Sequence, residues 1–312
     1  MSKISIVVPV YYNSDTLELL YQDMKEKILG KIGDYELVFT DDGSGDNSWE
    51  IMNSIRERDP NVKCVKLSRN FGEHAALLAG LSQCSGDCAV TKQADLQEDS
   101  SIILEMYESW KKGNKVVLAV RSDREDPFLT KLCASIYYSI IHRFVDKNMP
   151  VGGCDCYLID RKVIKVLELL DEKNSSLTLQ VLWAGFKCDR IYFHRSEREV
   201  GVSRWTFSKK LKLAMDSMLS FSYAPIRFMS MLGGIFSGIA LLWICYIIWE
   251  ALCIGEPVQG WASLMCLVLF SSGLIIMMLG MIGEYVWRSL DASRNRPPFI
   301  IDEVIGGSVR DK

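Results

Sequence analysis

Several things are scarce or missing in this sequence, and each shortage removes a class of function. No Gly-x-Gly-x-x-Gly follows the first apolar run, Ile4–Val10, which disfavours a dinucleotide-dependent oxidoreductase. Histidine is rare: His74, His142 and His194 have no ligand-like spacing and are expected to be structural or exposed. The 10 cysteines show no paired metal-type spacing, and Cys154-x-Cys156 is too tight for a zinc knuckle. Basic residues are not in excess; the net charge of -3 leaves no footprint for nucleic acid. Met1–Val10 lacks an n-region followed by an h-region and a cleavage site, so no secretory signal is expected. There is no internal repeat and no low-complexity tract.

The most informative absence is of charge. Phe228–Trp249 and Trp261–Gly283 contain no Asp, Glu, Lys or Arg, although the chain as a whole is 24% charged. As a helix each run would cover roughly 30 Å, the thickness of a bilayer's hydrocarbon core. A buried soluble helix is the alternative, weakened by two such runs in succession. Lys209, Lys210, Lys212 and Arg227 precede the first run, and Arg288, Arg294 and Arg296 follow the second. The connection between them offers only Glu250 and Glu256. The positive-inside rule then predicts a multi-pass protein of the cytoplasmic (inner) membrane with both termini and the large domain cytoplasmic. In that reducing compartment the cysteines are expected as free thiols. The expected organisation is a domain over 1–204, a juxtamembrane amphipathic helix over 205–227, spans over 228–250 and 261–286, and a cytoplasmic tail over 287–312. Gly233, Gly234 and Gly238 in the first span allow helix pairing, and so a homo-oligomer.

What is present in the first half is an alternation of short apolar runs with amphipathic stretches, the pattern of βαβ units and a mostly parallel sheet. Strands are expected at Ile4–Val10, Tyr35–Thr40, Val62–Leu67, Cys88–Lys92 and Val116–Val120. Helices are expected at Asp15–Ile28, Asn47–Arg58, Glu73–Gln83 and Ser101–Lys112. Phe128–Val145 forms a further apolar stripe at helical spacing, open to two readings: a helix in the membrane interface or one packed on the core. Acidic and Gly-rich residues sit just after the strands, in Asp41-Asp42-Gly43-Ser44 and Ala94-Asp95-Leu96-Gln97. Open parallel sheets bind ligands at those carboxyl ends.

The ordered set Val8-Pro-Val-Tyr11, Asp41-Asp-Gly-Ser44, Ser68-Arg-Asn-Phe-Gly72, Ala94-Asp-Leu-Gln97, Leu158-Ile-Asp-Arg-Lys162, Gly201-Val-Ser-Arg-Trp205 and Gly283-Glu-Tyr285 resembles the family-two GT-A glycosyltransferases. Within them it is similar to the polyprenyl-phosphate branch, which includes dolichol-phosphate mannose synthase and bactoprenol glucosyltransferases. The resemblance runs from about Ser5 to Phe299. It implies a GT-A fold and inverting transfer of a hexose from a nucleotide-sugar to a polyprenyl (undecaprenyl) phosphate. UDP-glucose is the first expectation, with UDP-N-acetylglucosamine, UDP-galactose and GDP-mannose open. It further implies a nucleotide pocket of Pro9, Tyr11, Asp41, Asp42 and Ala94, with Asp42 accepting from a ring N–H. Asp95 and Gln97 would hold Mg²⁺ or Mn²⁺, and Asp155 is the candidate base. Arg121, Arg124, Arg198, Ser203 and Arg204 are candidates to hold phosphates of donor or acceptor.

Two departures qualify the likeness. Family members commonly carry Asp where this chain has Gln93, so one charge is missing beside the cation. Tyr157 stands where several relatives have Arg. The first leaves room for a catalytically impaired protein that binds nucleotide-sugar or lipid. A processive polysaccharide synthase is a further alternative, disfavoured by Gly201 in place of the Gln of a Gln-x-x-Arg-Trp motif and by only two spans.

Overall fold

A computed structural model describes residues 2–121, 139, 141–142, 146–150, 153–154, 156–170, 176–193, 216, 219–222, 224–253 and 260–306. The chain divides into two units: residues 1–217 together with 297–312, and residues 218–296.

The first unit is built on one eight-stranded sheet. Its strands are β1 (Ile4–Val10), β2 (Tyr35–Asp41), β3 (Val62–Leu67), β4 (Cys88–Thr91), β5 (Val116–Arg121), β6 (Cys156–Asp160), β7 (Cys188–Phe193) and β8 (Ile301–Ile305), in the order β7-β5-β6-β4-β1-β2-β3-β8. The first four pair in parallel around β1, β7 runs parallel to β5, and β6 and β8 are antiparallel to their neighbours. Helices α1 (Ser14–Met24), α2 (Ser48–Arg58), α3 (Glu73–Ser82), α4 (Ile102–Lys111), α5 (Arg161–Leu167) and α6 (Leu177–Trp183) accompany them.

Continuous apolar runs become the central strands because helices cover both faces, so both side-chain sets are buried. All seven residues of β1 are buried. Gly80 of α3 permits the closest helix approach: a Cβ there would lie 2.4 Å from Val7 Cγ1 and 2.7 Å from Thr40 Oγ1. At the strands' amino ends a buried carboxylate, Glu36, ties three segments together. It accepts from the Ser5 hydroxyl at 2.5 Å, the Ser85 hydroxyl at 2.6 Å and the Gly86 N–H at 3.2 Å, with Lys63 Nζ at 3.9 Å.

The second unit is a helical hairpin of α7 (Ala224–Cys253) and α8 (Trp261–Ser293). Segments Pro225–Glu250 and Phe270–Ser293 are long and apolar enough to cross a membrane. Phe236 and Phe270 meet with ring centroids 4.9 Å apart, and Gly233 faces Met278. Large apolar side chains such as Leu242, Trp243, Leu264, Ile276 and Leu279 are exposed along both helices. α7 begins at Ala224 rather than 228, and the segment expected as a tail carries the end of α8 and then β8. Most of 128–145 and of 205–227 lies outside the described residues.

Candidate functional site

Loops leave the carboxyl ends of β1, β2 and β3, and short polar side chains lace them together. The Tyr12 N–H donates to Ser44 Oγ at 3.0 Å, the Asn13 N–H to Ser48 Oγ at 3.0 Å, and the Ser14 N–H to Asp46 at 3.3 Å. Asp42, 3% exposed, reaches the third loop: its carboxylate accepts from the Phe71 N–H at 2.7 Å and the Gly72 N–H at 2.9 Å. Gly43 lets these loops cross. Its φ is +69°, and a Cβ there would sit 2.7 Å from the Arg69 carbonyl carbon, so only glycine fits.

The adjacent acids therefore do different things. Both oxygens of Asp42 hold backbone amides. Asp41 is fully buried and its Oδ1 accepts the Ser44 N–H at 3.1 Å, while Oδ2 has no hydrogen-bond partner among the described residues. Burial pushes both carboxyls above the ordinary range, against the pull of the Ser44, Phe71 and Gly72 hydrogen bonds. Beside them Tyr11 and Tyr12 stand edge to face, centroids 4.8 Å apart, 38% and 41% exposed. Tyr12 takes a φ of +55°, rare for an aromatic residue. Nothing at the level of residue type singles it out; the signal is that Ser44 holds its amide.

Pro9 is buried in β1 opposite Thr40. Val7 O accepts from Lys92 N–H on the β4 side and Val10 O from Asp42 N–H on the β2 side, so position 9 faces β4. Pairing with β4 stops at Val7–Thr91, and the N–H that proline lacks is missing where no partner strand remains.

The fourth loop follows β4. Asp95 Oδ1 accepts from the Gln97 N–H at 3.2 Å, Leu96 turns the chain with a φ of +58°, and Ala94 is buried. Gln93 Nε2 donates to Glu73 Oε1 at 2.8 Å. A carboxylate only accepts, so this contact fixes which way the Gln93 amide faces. Glu73 thus returns a negative charge next to the position where Gln93 lacks one, a pairing that the motif alone does not disclose. Neighbouring His74 has both ring nitrogens buried without a hydrogen-bond partner among the described residues, and burial pulls its pKa down to about 4.

The start of β6 adjoins the carboxyl ends of β4 and β5: Leu158 is opposite Val90, and Cys156 is opposite Ala119. Arg121 ends β5 in register with Phe193. Its charge draws the Cys154 thiol down, yet burial keeps Cys154 and Cys156 well above the usual range. Tyr157 is buried in β6, with its N–H on Thr91 Oγ1 at 3.1 Å. Asp155, Arg124, Arg198, Ser203 and Arg204 lie outside the described residues. Among the described residues no three His, Cys, Asp or Glu side chains gather as a metal cage. One carboxylate and one amide oxygen on a single turn nonetheless fit Mg²⁺ or Mn²⁺, which usually take few protein oxygens and complete their shell with phosphate and water.

A mixed α/β sheet with acidic loops at its central strand ends, next to half-exposed aromatic rings, has the layout of a GT-A-type transferase domain. The chain belongs to glycosyl transferase family 2, whose model matches residues 5–168, and it is a glycosyltransferase. It is 37% identical to the uncharacterized glycosyltransferase YkcC of Bacillus subtilis (strain 168), over 97% of this chain and 94% of that one. It is 33% identical to the bactoprenol glucosyl transferase of Shigella phage SfV, over 96% of this chain and 98% of that one. A crystal structure of S. aureus TarS residues 1-349 in complex with UDP-GlcNAc is similar over 64% of this chain and 62% of that one, at 16% identity and a TM-score of 0.46.

Proposed function

We propose that the chain transfers a hexose from a nucleotide-sugar, UDP-glucose first among the candidates, to a polyprenyl phosphate at the cytoplasmic face of a membrane. The observation that carries this reading is the near full-length similarity to bactoprenol glucosyl transferases, which takes in both apolar helices as well as the catalytic domain. The connectivity supports the orientation. Residues on both sides of the hairpin belong to one folded unit, because β8 pairs with β3. A hairpin whose two ends return to one domain crosses a bilayer an even number of times. The arginines flanking it favour the cytoplasm for that domain.

In this reading Tyr11 and Tyr12 offer a surface to the nucleobase, and the buried Asp41 and Asp42 hold the pocket wall behind them, Asp42 through the Phe71 and Gly72 amides. Asp95 and Gln97 would hold Mg²⁺ or Mn²⁺, whose charge would offset that of the departing diphosphate. A lipid phosphate oxygen attacks the anomeric carbon in line. The new C–O bond forms as the bond to the nucleoside diphosphate breaks, with inversion. A phosphate is already ionised near neutral pH, so Asp155 as base has a modest task, and orienting by Arg121, Arg124, Arg198, Ser203 and Arg204 matters more. Arginine suits that work because its planar fork pairs two phosphate oxygens.

The test is a donor screen on purified full-length protein with undecaprenyl phosphate, Mn²⁺ omitted and restored. Lipid-linked hexose from UDP-glucose is expected, lost in Asp95→Asn with membrane insertion unchanged. Full activity of Asp95→Asn removes the metal role. Nucleotide-sugar binding without turnover by the wild type favours the non-catalytic alternative.

A further inference from the structure

The turn that carries Asp95 is bracketed by a buried ion pair, at two positions outside the family motif. Lys92, the residue after β4, is 1% exposed and Glu98 4% exposed. Lys92 Nζ donates to the Glu98 carbonyl oxygen and lies 3.8 Å from Glu98 Oε2. One ammonium thus binds both the backbone and the side chain of a residue on the far side of the turn. The Lys92 N–H is anchored in turn on Val7 O at 2.9 Å, in the central strand. Glu98's charge also raises the Cys154 and Cys156 thiols, and that of Lys92 lowers the Cys156 thiol.

Placing two charges where water does not reach is costly, and a well-packed apolar pair often serves stability as well or better. A chain that keeps such a pair under a half-buried acidic turn gains geometry from it. The turn between has reason to need holding, since Leu96 takes a φ of +58°, a strained conformation for a residue with a side chain.

We propose that Lys92 and Glu98 are positioning residues: together they close the 93–97 turn before ligand arrives and set Asp95 toward the cation and diphosphate of the donor. This rests on the donor-site role given to Asp95 above. With the turn already shaped, donor binding does not have to order it.

The double variant Lys92→Met/Glu98→Gln removes both charges together and avoids stranding either one. Its unfolding temperature is expected to stay close to that of wild type, while UDP binding in the presence of Mn²⁺ weakens about tenfold, the scale seen when supports behind a metal ligand are removed. Unchanged UDP–Mn²⁺ affinity in a folded double variant overturns the proposal, whatever its melting temperature. Hydrogen exchange supplies a second check. Without ligand the 93–97 amides should be protected in wild-type protein and exchange faster in the double variant; equal rates in the two ligand-free proteins mean that the pair does not hold the turn. If wild-type protein fails to bind UDP and Mn²⁺ at all, the donor-site reading itself falls, an outcome distinct from either of these.

Discussion

Two aspartates adjacent in sequence have opposite commitments in space. Asp42 accepts from the Phe71 and Gly72 amides, and Asp41 keeps one buried oxygen without a hydrogen-bond partner among the described residues. Asp42→Asn turns an amide N–H₂ toward at least one backbone N–H, and should cost about 1–3 kcal/mol of stability, read as a lower denaturation midpoint. Asp41→Asn can still accept from Ser44 through its amide oxygen, so its stability should change little. The reverse pattern would exchange the two roles. The motif Asp41-Asp-Gly-Ser44 could not reveal this, because the groups that claim Asp42 arrive from the loop after β3.

Position 93 poses a second residue-scale question. Gln93→Asp would remove the amide that Glu73 now accepts from at 2.8 Å and bring a second carboxylate near it. That variant alone should lower stability and donor binding. Adding Glu73→Gln, which exchanges acid and amide between the positions, should recover most of both, measured by thermal unfolding and UDP titration. Equal loss in the single and double variants would mean that the two side chains are not coupled.

At the scale of elements, Glu36 joins β1, β2 and the turn before β4. Burial alone would raise its pKa, but hydrogen bonds from Ser5 and Ser85 and the charge of Lys63 outweigh burial and hold it below the usual 4.5. A carboxyl lowered in the folded state adds stability above its unfolded pKa and loses it as pH falls through the folded one. Glu36→Gln should therefore be less stable than wild type by about 1.5–3 kcal/mol near neutral pH. The gap should stay level down to about pH 5 and close below 4.5; a gap that is the same at all pH values would remove the charge from the explanation.

The elements that can be read in sequence are those whose burial is symmetric. β1 to β5 are apolar runs covered on both faces, and α1 to α4 are long enough to show a period. β7 is half-exposed along its length, α5 and α6 are seven residues each, and β8 reads Ile-Asp-Glu-Val-Ile at an edge. Their identity comes from partners distant in the chain, Val116–Arg121 for β7 and Cys64–Leu67 for β8, and no local window contains those. The acidic turns were readable for a related reason: strand ends mark them, whereas the lysine–glutamate and glutamine–glutamate pairs around Asp95 depend on side-chain contact alone.

For the whole molecule, the return of the chain to β8 sets a topological condition. In the proposed orientation, the loop between α7 and α8 is outside the cytoplasm, and β8 is inside together with the rest of the sheet. Asp302 and Glu303 are exposed on that edge strand. In a background where Cys245, Cys253 and Cys266, the cysteines of the two apolar helices, are replaced by serine, Glu256→Cys should react with a membrane-impermeant maleimide in intact cells. Asp302→Cys should react only after the membrane is opened. Labelling of both from outside, or of neither, would mean that the hairpin does not cross. The glycosyltransferase domain would then meet its lipid acceptor by some other means than the two apolar helices.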